Sequence, residues 1–159
     1  MLIPAVNRKE DVYVKFAEIL YTEDYWYYVG WAGCHDIPKI EPEDDRWDWI
    51  SVDKTGEICG FMSYHIDPVT DRVSHFGIIS FNHKSIIFAQ DFKKKMDELV
   101  KEHHTLEWRM IGGNPVKKHY DAFCKKYNGS CHEYHDVCRD LNGKYRNEYV
   151  YEIKNNTTT

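Results

Sequence analysis

Between Arg46 and Phe81 the chain reads as strands and tight turns, and from Phe88 its apolar residues fall at helical spacing instead. This change of period, from two to about 3.6, sets a β-meander and a helix side by side in one chain. The meander has three arms, Arg46–Asp53, Glu57–Asp67 and Arg72–Phe81. Its turns are Lys54-Thr55-Gly56-Glu57, where Gly56 supplies a positive φ, and Pro68-Val69-Thr70-Asp71. In the helix that follows, Phe88, Phe92, Met96 and Leu99 form the apolar stripe, and the Lys93-Lys94-Lys95 run lies mostly on the wet side.

The same reading continues in both directions. Thr105–Ile111 is a strand ended by Gly112-Gly113, and Asn114-Pro115 then opens a helix, Asn as the cap and Pro at the first helical position. Val116, Tyr120, Phe123, Cys124 and Tyr127 make its apolar stripe, and Asn128-Gly129 stops it. Strands over 130–141 and 144–153 are joined by Asn142-Gly143, a two-residue hairpin signal. Upstream, Leu2–Val6 is a short strand. Asn7 with Glu10 resembles a capping box that opens a helix buried through Val12, Phe16, Ile19 and Leu20. Tyr21–Trp31 is rich in aromatics and reads as a second short helix or an ordered loop, followed by an acidic linker with Pro38 and Pro42. The order is β-α-α-β-β-β-α-β-α-β-β without an internal repeat. We therefore expect one domain over 1–154 and a flexible tail at 155–159.

Length and composition fit that reading. A chain of 159 residues closes a core without disulfides, and 42% hydrophobic with 30% charged residues is the balance of a soluble globular protein. No apolar run approaches the roughly 20 residues of a membrane span. The opening MLIPAVNRKE turns polar too soon for a signal peptide, so a cytoplasmic location is expected and a membrane partner is not. Five cysteines, an odd number, read as reduced thiols. Cys131-His132-x-x-His135-x-x-Cys138 has the residues of a zinc site, but in a strand Cys131 and His135 share one face while His132 and Cys138 lie on the other. Without a sharp bend or bulge the four cannot converge, so no metal is expected. The net charge of −5 is uneven: −8 over residues 1–82, +4 over 83–128 and −1 over 129–159. A basic middle in an acidic chain suits a small polyanion better than a nucleic acid.

The element order resembles the GNAT superfamily of acyl-CoA N-acyltransferases over residues 2–153. Its landmarks are the hairpin with Gly56-Glu57, the strand running into a helix, Asn114 and the aromatic-rich helix ending at Gly129, and the closing hairpin. The resemblance implies an α/β (α+β) fold with a mixed, mostly antiparallel sheet of about seven strands, about four helices, and fourth and fifth strands that splay apart. The pantetheine arm of acetyl-CoA would insert between those strands against the backbone of Ile78, Ile79 and Phe81. Its pyrophosphate would rest on the next helix N-terminus, where free N–H groups and the helix dipole favour an anion. The family's Arg/Gln-x-x-Gly-x-Gly/Ala loop is replaced by Asn82-His83-Lys84-Ser85-Ile86-Ile87, which has no glycine, leaving Asn82, Lys84 and Ser85 to hold phosphate. Asn114 would orient the cofactor, and Lys117 and Lys118 could meet its ribose phosphate.

For catalysis the resemblance implies a tyrosine in the helix after the fifth strand that protonates the departing thiolate. A strict count puts Cys124 in that place, and Tyr120 lies one turn earlier on the same face. The proton of the acceptor amine would pass to a carboxylate or histidine near the splayed strands, for which Glu107 and His75 are the candidates. Tyr25, Trp26, Tyr28 and Trp31 would meet the acceptor through cation–π contacts. The expected activity is transfer of an acetyl group to a primary amine by direct attack. The alternative is a GNAT-fold binding or regulatory module without catalysis, and the exposed edges of the last hairpin leave a homodimer open.

Overall fold

A computed structural model describes residues 1–157. The elements are β1 (Leu2–Pro4), a 3-10 turn (Ala5–Arg8), α1 (Lys9–Ile19), α2 (Glu23–Val29), β2 (Arg46–Val52), β3 (Ile58–Asp67) and β4 (Arg72–Ser80). They continue with α3 (Ile87–Glu102), β5 (Thr105–Ile111), α4 (Lys117–Lys126), β6 (Ser130–Arg139) and β7 (Tyr145–Lys154). The order matches the sequence reading. One seven-stranded sheet runs β1-β2-β3-β4-β5-β7-β6, antiparallel everywhere except between β4 and β5.

Each face of the sheet buries its own core. On one face Phe16 of α1 and Tyr25 of α2 pack with Ile50, Phe61 and Ile79. On the other, Phe88, Met96 and Leu99 of α3 and Tyr120 and Cys124 of α4 cover Met62, Tyr64, Leu106, Trp108 and Tyr151. Burial of these large side chains, each contributing roughly 1.5–3 kcal/mol, holds the helices to the sheet.

Local chemistry differs from the sequence reading in several places. Asn7 does not cap α1: it lies within the 3-10 turn, and Arg8 takes the N-cap position with no side-chain hydrogen bond. Thr22 caps α2 instead, its Oγ1 accepting from the Tyr25 N–H at 3.4 Å, and Gly30 ends that helix at φ 73°. The last hairpin turns through three residues rather than two. Asp140 N–H donates to the Lys144 carbonyl, Gly143 N–H returns to Asp140, and only Gly143 is left-handed. Asp53 and Gly56 build the β2–β3 turn in the same way. At the end of α4 the left-handed residue is Asn128 (φ 54°). Gly129 is required for space, because a Cβ there would stand 2.7 Å from both Cys124 Sγ and the Glu152 carbonyl oxygen.

β6 is an edge strand, exposed along nearly its whole length. Its period-two alternation breaks between Tyr134 and Cys138, where Asp136 turns left-handed (φ 55°). Even with this bulge, the described residues hold no group of three or more His, Cys, Asp or Glu side chains arranged for a metal ion. Of the tail, 158 and 159 lie outside the described residues. Asn155 is anchored: its N–H donates to the His104 carbonyl at 2.8 Å and its Nδ2 to Val100 at 2.9 Å.

Candidate active site

The parallel pair β4–β5 is registered at only two positions, Arg72 with Thr105 and Val73 with Leu106. Beyond them the strands part and leave a gap in the sheet. The bend begins at His75, whose φ of 56° places a non-glycine residue in the left-handed region, and the β3–β4 register shifts there. Such a conformation costs of order 1 kcal/mol or more and must be held by its surroundings. Ser74, buried beside it, contacts His75 Nδ1 through Oγ at 2.9 Å.

The closed end of the gap is clamped by neighbouring residues. Asp71 accepts from the His104 N–H at 2.8 Å, and its other carboxylate oxygen meets His103 Nδ1 at 2.7 Å. Its carbonyl accepts the Thr105 N–H at 3.2 Å. Arg72 then ion-pairs with Glu107 and, at 3.2 Å, with Glu152. Glu107 is thus committed to this clamp, with Arg109 a further 3.6 Å away.

Along the open part, the Phe81 N–H donates to the Cys59 carbonyl. In an antiparallel ladder successive residues face opposite sides, so Ile79 turns to β3 like Phe81, while Ile78 and Ser80 face the gap. Of Ile78, Ile79 and Phe81, expected to line the cofactor arm, only Ile78 turns its backbone groups to the gap, and Ser80, not singled out in the sequence, does so as well. Gly77 sits on the lip: a Cβ there would lie 2.8 Å from Ser63 Oγ and 2.9 Å from Tyr28 Cε2, so α2 closes over β4 only because that Cβ is absent.

The loop at the open end satisfies part of its own backbone. Asn82 Oδ1 accepts the Lys84 N–H at 3.0 Å and Ser85 Oγ accepts the Ile87 N–H at 3.3 Å. Glycine-free, it spends side-chain oxygens on amides that would otherwise point at an anion. The Ile86, Phe88 and Ala89 amides lie at the start of the 16-residue α3, close in sequence to the exposed Lys84. His83 ties the loop to α2 through Asp24 at 2.7 Å.

Tyr120 of α4 lies buried over β5 and β7, facing α3. Its ring packs at 6.2 Å from Phe92 of α3 and edge-on to Trp108 and Tyr151 at 6.1 and 5.9 Å. Burial pushes its phenol above the ordinary range. The hydroxyl makes no hydrogen bond among the described residues, yet it is not sealed off: Trp108 Nε1 is the one fully buried polar side-chain atom found there without a partner. Cys124 takes a different direction, its Sγ reaching the Ser130 carbonyl at 3.4 Å, and burial pushes its thiol up to about 11.

The other expected residues divide. Asn114 Oδ1 accepts the Val116 N–H at 3.1 Å, which builds the turn before α4 rather than capping the helix itself. Lys117 is held by Asp121 at 2.7 Å and lies over the Tyr149 ring, whereas Lys118 is exposed. Tyr25 and Trp26 are core residues: Tyr25 donates to the Asp36 carbonyl, and Trp26 Nε1 to Arg139 at 3.0 Å. Tyr28 is half-buried beside Gly77 and Ser63. Trp31 is exposed and lines a cavity of about 130 Å³ with Tyr21, His35 and Leu141.

The sheet with its one parallel pair, the two-position register and the helices on both faces define the GNAT fold, and known structures agree. Spermidine N-acetyltransferase from Vibrio cholerae, in complex with CoA and spermine, superimposes with a TM-score of 0.67 at 11% identity, covering 97% of this chain and 94% of that one. Ribosomal-protein-alanine N-acetyltransferase from Brucella melitensis gives 0.67 at 12% identity over 98% and 99% of the two chains. An N-acetyltransferase from Staphylococcus aureus Mu50 gives 0.62 at 13% over 97% of each. No protein-family model matches the chain, and no curated protein sequence does. At these identities the likeness establishes the fold.

Proposed function

We propose that this chain is an acyl-CoA-dependent N-acetyltransferase that passes the acetyl group of acetyl-CoA to a primary amine by direct attack. The observation that carries the reading is the gap between β4 and β5, with a left-handed histidine at the bend of β4 where the strands part. The backbone of Ile78 and Ser80 offers hydrogen bonds to the pantetheine amides, and the start of α3 with Lys84 receives the phosphates. His75 takes the proton that the amine must lose, since Glu107 is held by Arg72 at the closed end. Tyr120 gives its hydroxyl proton to the sulfur as the C–S bond breaks and recovers one from solvent. The acceptor lies against α2 and the β6–β7 hairpin, where Tyr28 and Trp31 stand among acidic residues such as Glu23 and Asp24. The free outer edge of β6 supports a homodimer. No described helix is long and apolar enough to cross a membrane.

Calorimetric titration with CoA and acetyl-CoA tests the first half. Thiol release over spermidine, free amino acids and a lysine peptide tests the second. No binding at roughly millimolar ligand overturns the proposal. Binding without thiol release from any of these amines favours a non-catalytic GNAT-fold module, the reading to which the glycine-free loop points.

A further inference from the structure

We infer that His65 is a positioning residue for the amine's proton, forming with His75 an imidazole pair that carries it from the cleft lip to Asp45. The inference rests on the acetyltransferase reading above and deepens it. His65 lies opposite Ser74 in the β3–β4 register, so the bulge that turns His75 left-handed also sets the two rings edge-on, with centroids 5.5 Å apart. That spacing suits one bridging water between ring nitrogens. Behind His65 stands a carboxylate, Asp45 Oδ2, 3.5 Å from Nδ1. The Ile66 N–H fixes the Asp45 backbone by donating to its carbonyl at 2.8 Å.

The other charges around the pair are accounted for. Arg46 is the register partner of His65 on β2, and its guanidinium is taken by Asp48 at 2.9 Å; the Asp48 carboxylate also feels the charge of His65, so Asp45 and Asp48 both face that ring. Ser74 Oγ holds one nitrogen of His75, and the other takes the amine's proton and then hands it on through the bridging water. The sequence of events balances. The ammonium gives one proton to His75, which passes it through water to His65. There Asp45 stabilises the imidazolium until it exchanges with solvent. The freed nitrogen attacks the thioester carbonyl and gives its second proton to the again neutral His75 as the C–S bond breaks. The departing sulfur takes its proton from Tyr120, which recovers one from solvent.

The test uses the full chain with His65→Gln and Asp45→Asn, and the amine that releases thiol fastest in the panel above. With CoA affinity and melting temperature unchanged, kcat should fall roughly ten- to a hundred-fold, as when an orienting partner of an imidazole is removed. The KM values for acetyl-CoA and for the amine should stay close to wild type, so that the loss falls on kcat. Imidazole NMR of the ligand-free protein reads the ring contact without turnover: the His75 ring signals should move in His65→Gln. A His65→Gln protein with wild-type kcat, or His75 ring signals that the substitution leaves in place, overturns the relay and leaves the acetyltransferase reading standing. Absence of CoA binding by the wild type overturns both.

Discussion

Asp71 and His103 join the turn before β4 to the end of α3, with a carboxylate oxygen 2.7 Å from the imidazole nitrogen. Because Asp71 also accepts from His104 and Thr105, this one residue fixes the closed end of the gap. The His103 bond, more than any other contact, holds the Asp71 carboxyl below its ordinary range. Asp71→Ala should cost about 1–2 kcal/mol, discounted because the side chain is half exposed, and should weaken CoA binding by letting β4 and β5 drift. Urea unfolding and calorimetry measure both. An unchanged CoA affinity would show that the closed end does not govern the width of the cleft.

A second clasp joins the helices on either side of the gap. Asp97 of α3 accepts from Lys126 at 2.8 Å and from the Tyr127 hydroxyl, both at the end of α4. Burial opposes its ionisation, but the bonds from Lys126, Tyr127 and Lys93 prevail and bring its carboxyl down to about 2. A depressed carboxylate stabilises the fold above its unfolded value, and this is lost as pH falls through the folded one. The contribution, about 2 kcal/mol at most, should therefore disappear between roughly pH 4 and pH 2. Asp97→Asn should lower stability at neutral pH and flatten the acid limb, as followed by circular dichroism.

Tyr120→Phe keeps the ring contacts with Phe92, Trp108 and Tyr151 and removes only an unpartnered hydroxyl. We expect the melting temperature to stay within a degree or two, since a lone hydroxyl outside any bond contributes little. If the hydroxyl is the general acid, kcat should fall by about 10²-fold or more with little change in the KM for acetyl-CoA. A parallel loss of stability and of kcat would assign Tyr120 to packing alone.

Gly77→Ala places a methyl carbon 2.8 Å from Ser63 Oγ and 2.9 Å from the Tyr28 ring. Since α2 must back away from β4, a loss of about 1–3 kcal/mol is expected. Restoring space with Tyr28→Leu in the same chain should recover part of it. The double-mutant cycle reads this directly, and strict additivity would mean that the two residues do not press on each other.

Much of the frame was legible because it follows from period. Thr105–Ile111 begins and ends where the spacing places it, and the other strands and long helices differ by a few residues. Turn chemistry was legible in kind but not in detail: Asn142-Gly143 marks a hairpin, yet the Asp140 side chain, which bonds the Asn142 and Lys144 amides, recruits a third residue. The commitments of individual side chains were not legible, because they depend on register across strands distant in sequence. In sequence Glu107 has Arg109 as a neighbour on its own strand face, and only the parallel pairing of β4 with β5 brings Arg72 to it. His65 carries no motif and gains meaning only opposite the bulge, while His75 lacks the glycine that would have announced a left-handed residue. Tyr25 and Trp26 share the aromatic-rich stretch with Trp31, but the helix turns the first two inward.

The two-pair register between β4 and β5 has a mechanical meaning. It makes the sheet two plates sharing a short seam, β1–β4 on one side and β5, β7 and β6 on the other. A guest whose amides run along the open seam adds the strand the sheet lacks, so that binding amounts to the last step of assembly. Such a protein should gain cooperativity as well as affinity when filled, its two halves melting as one body with the guest in place and showing separate local opening without it.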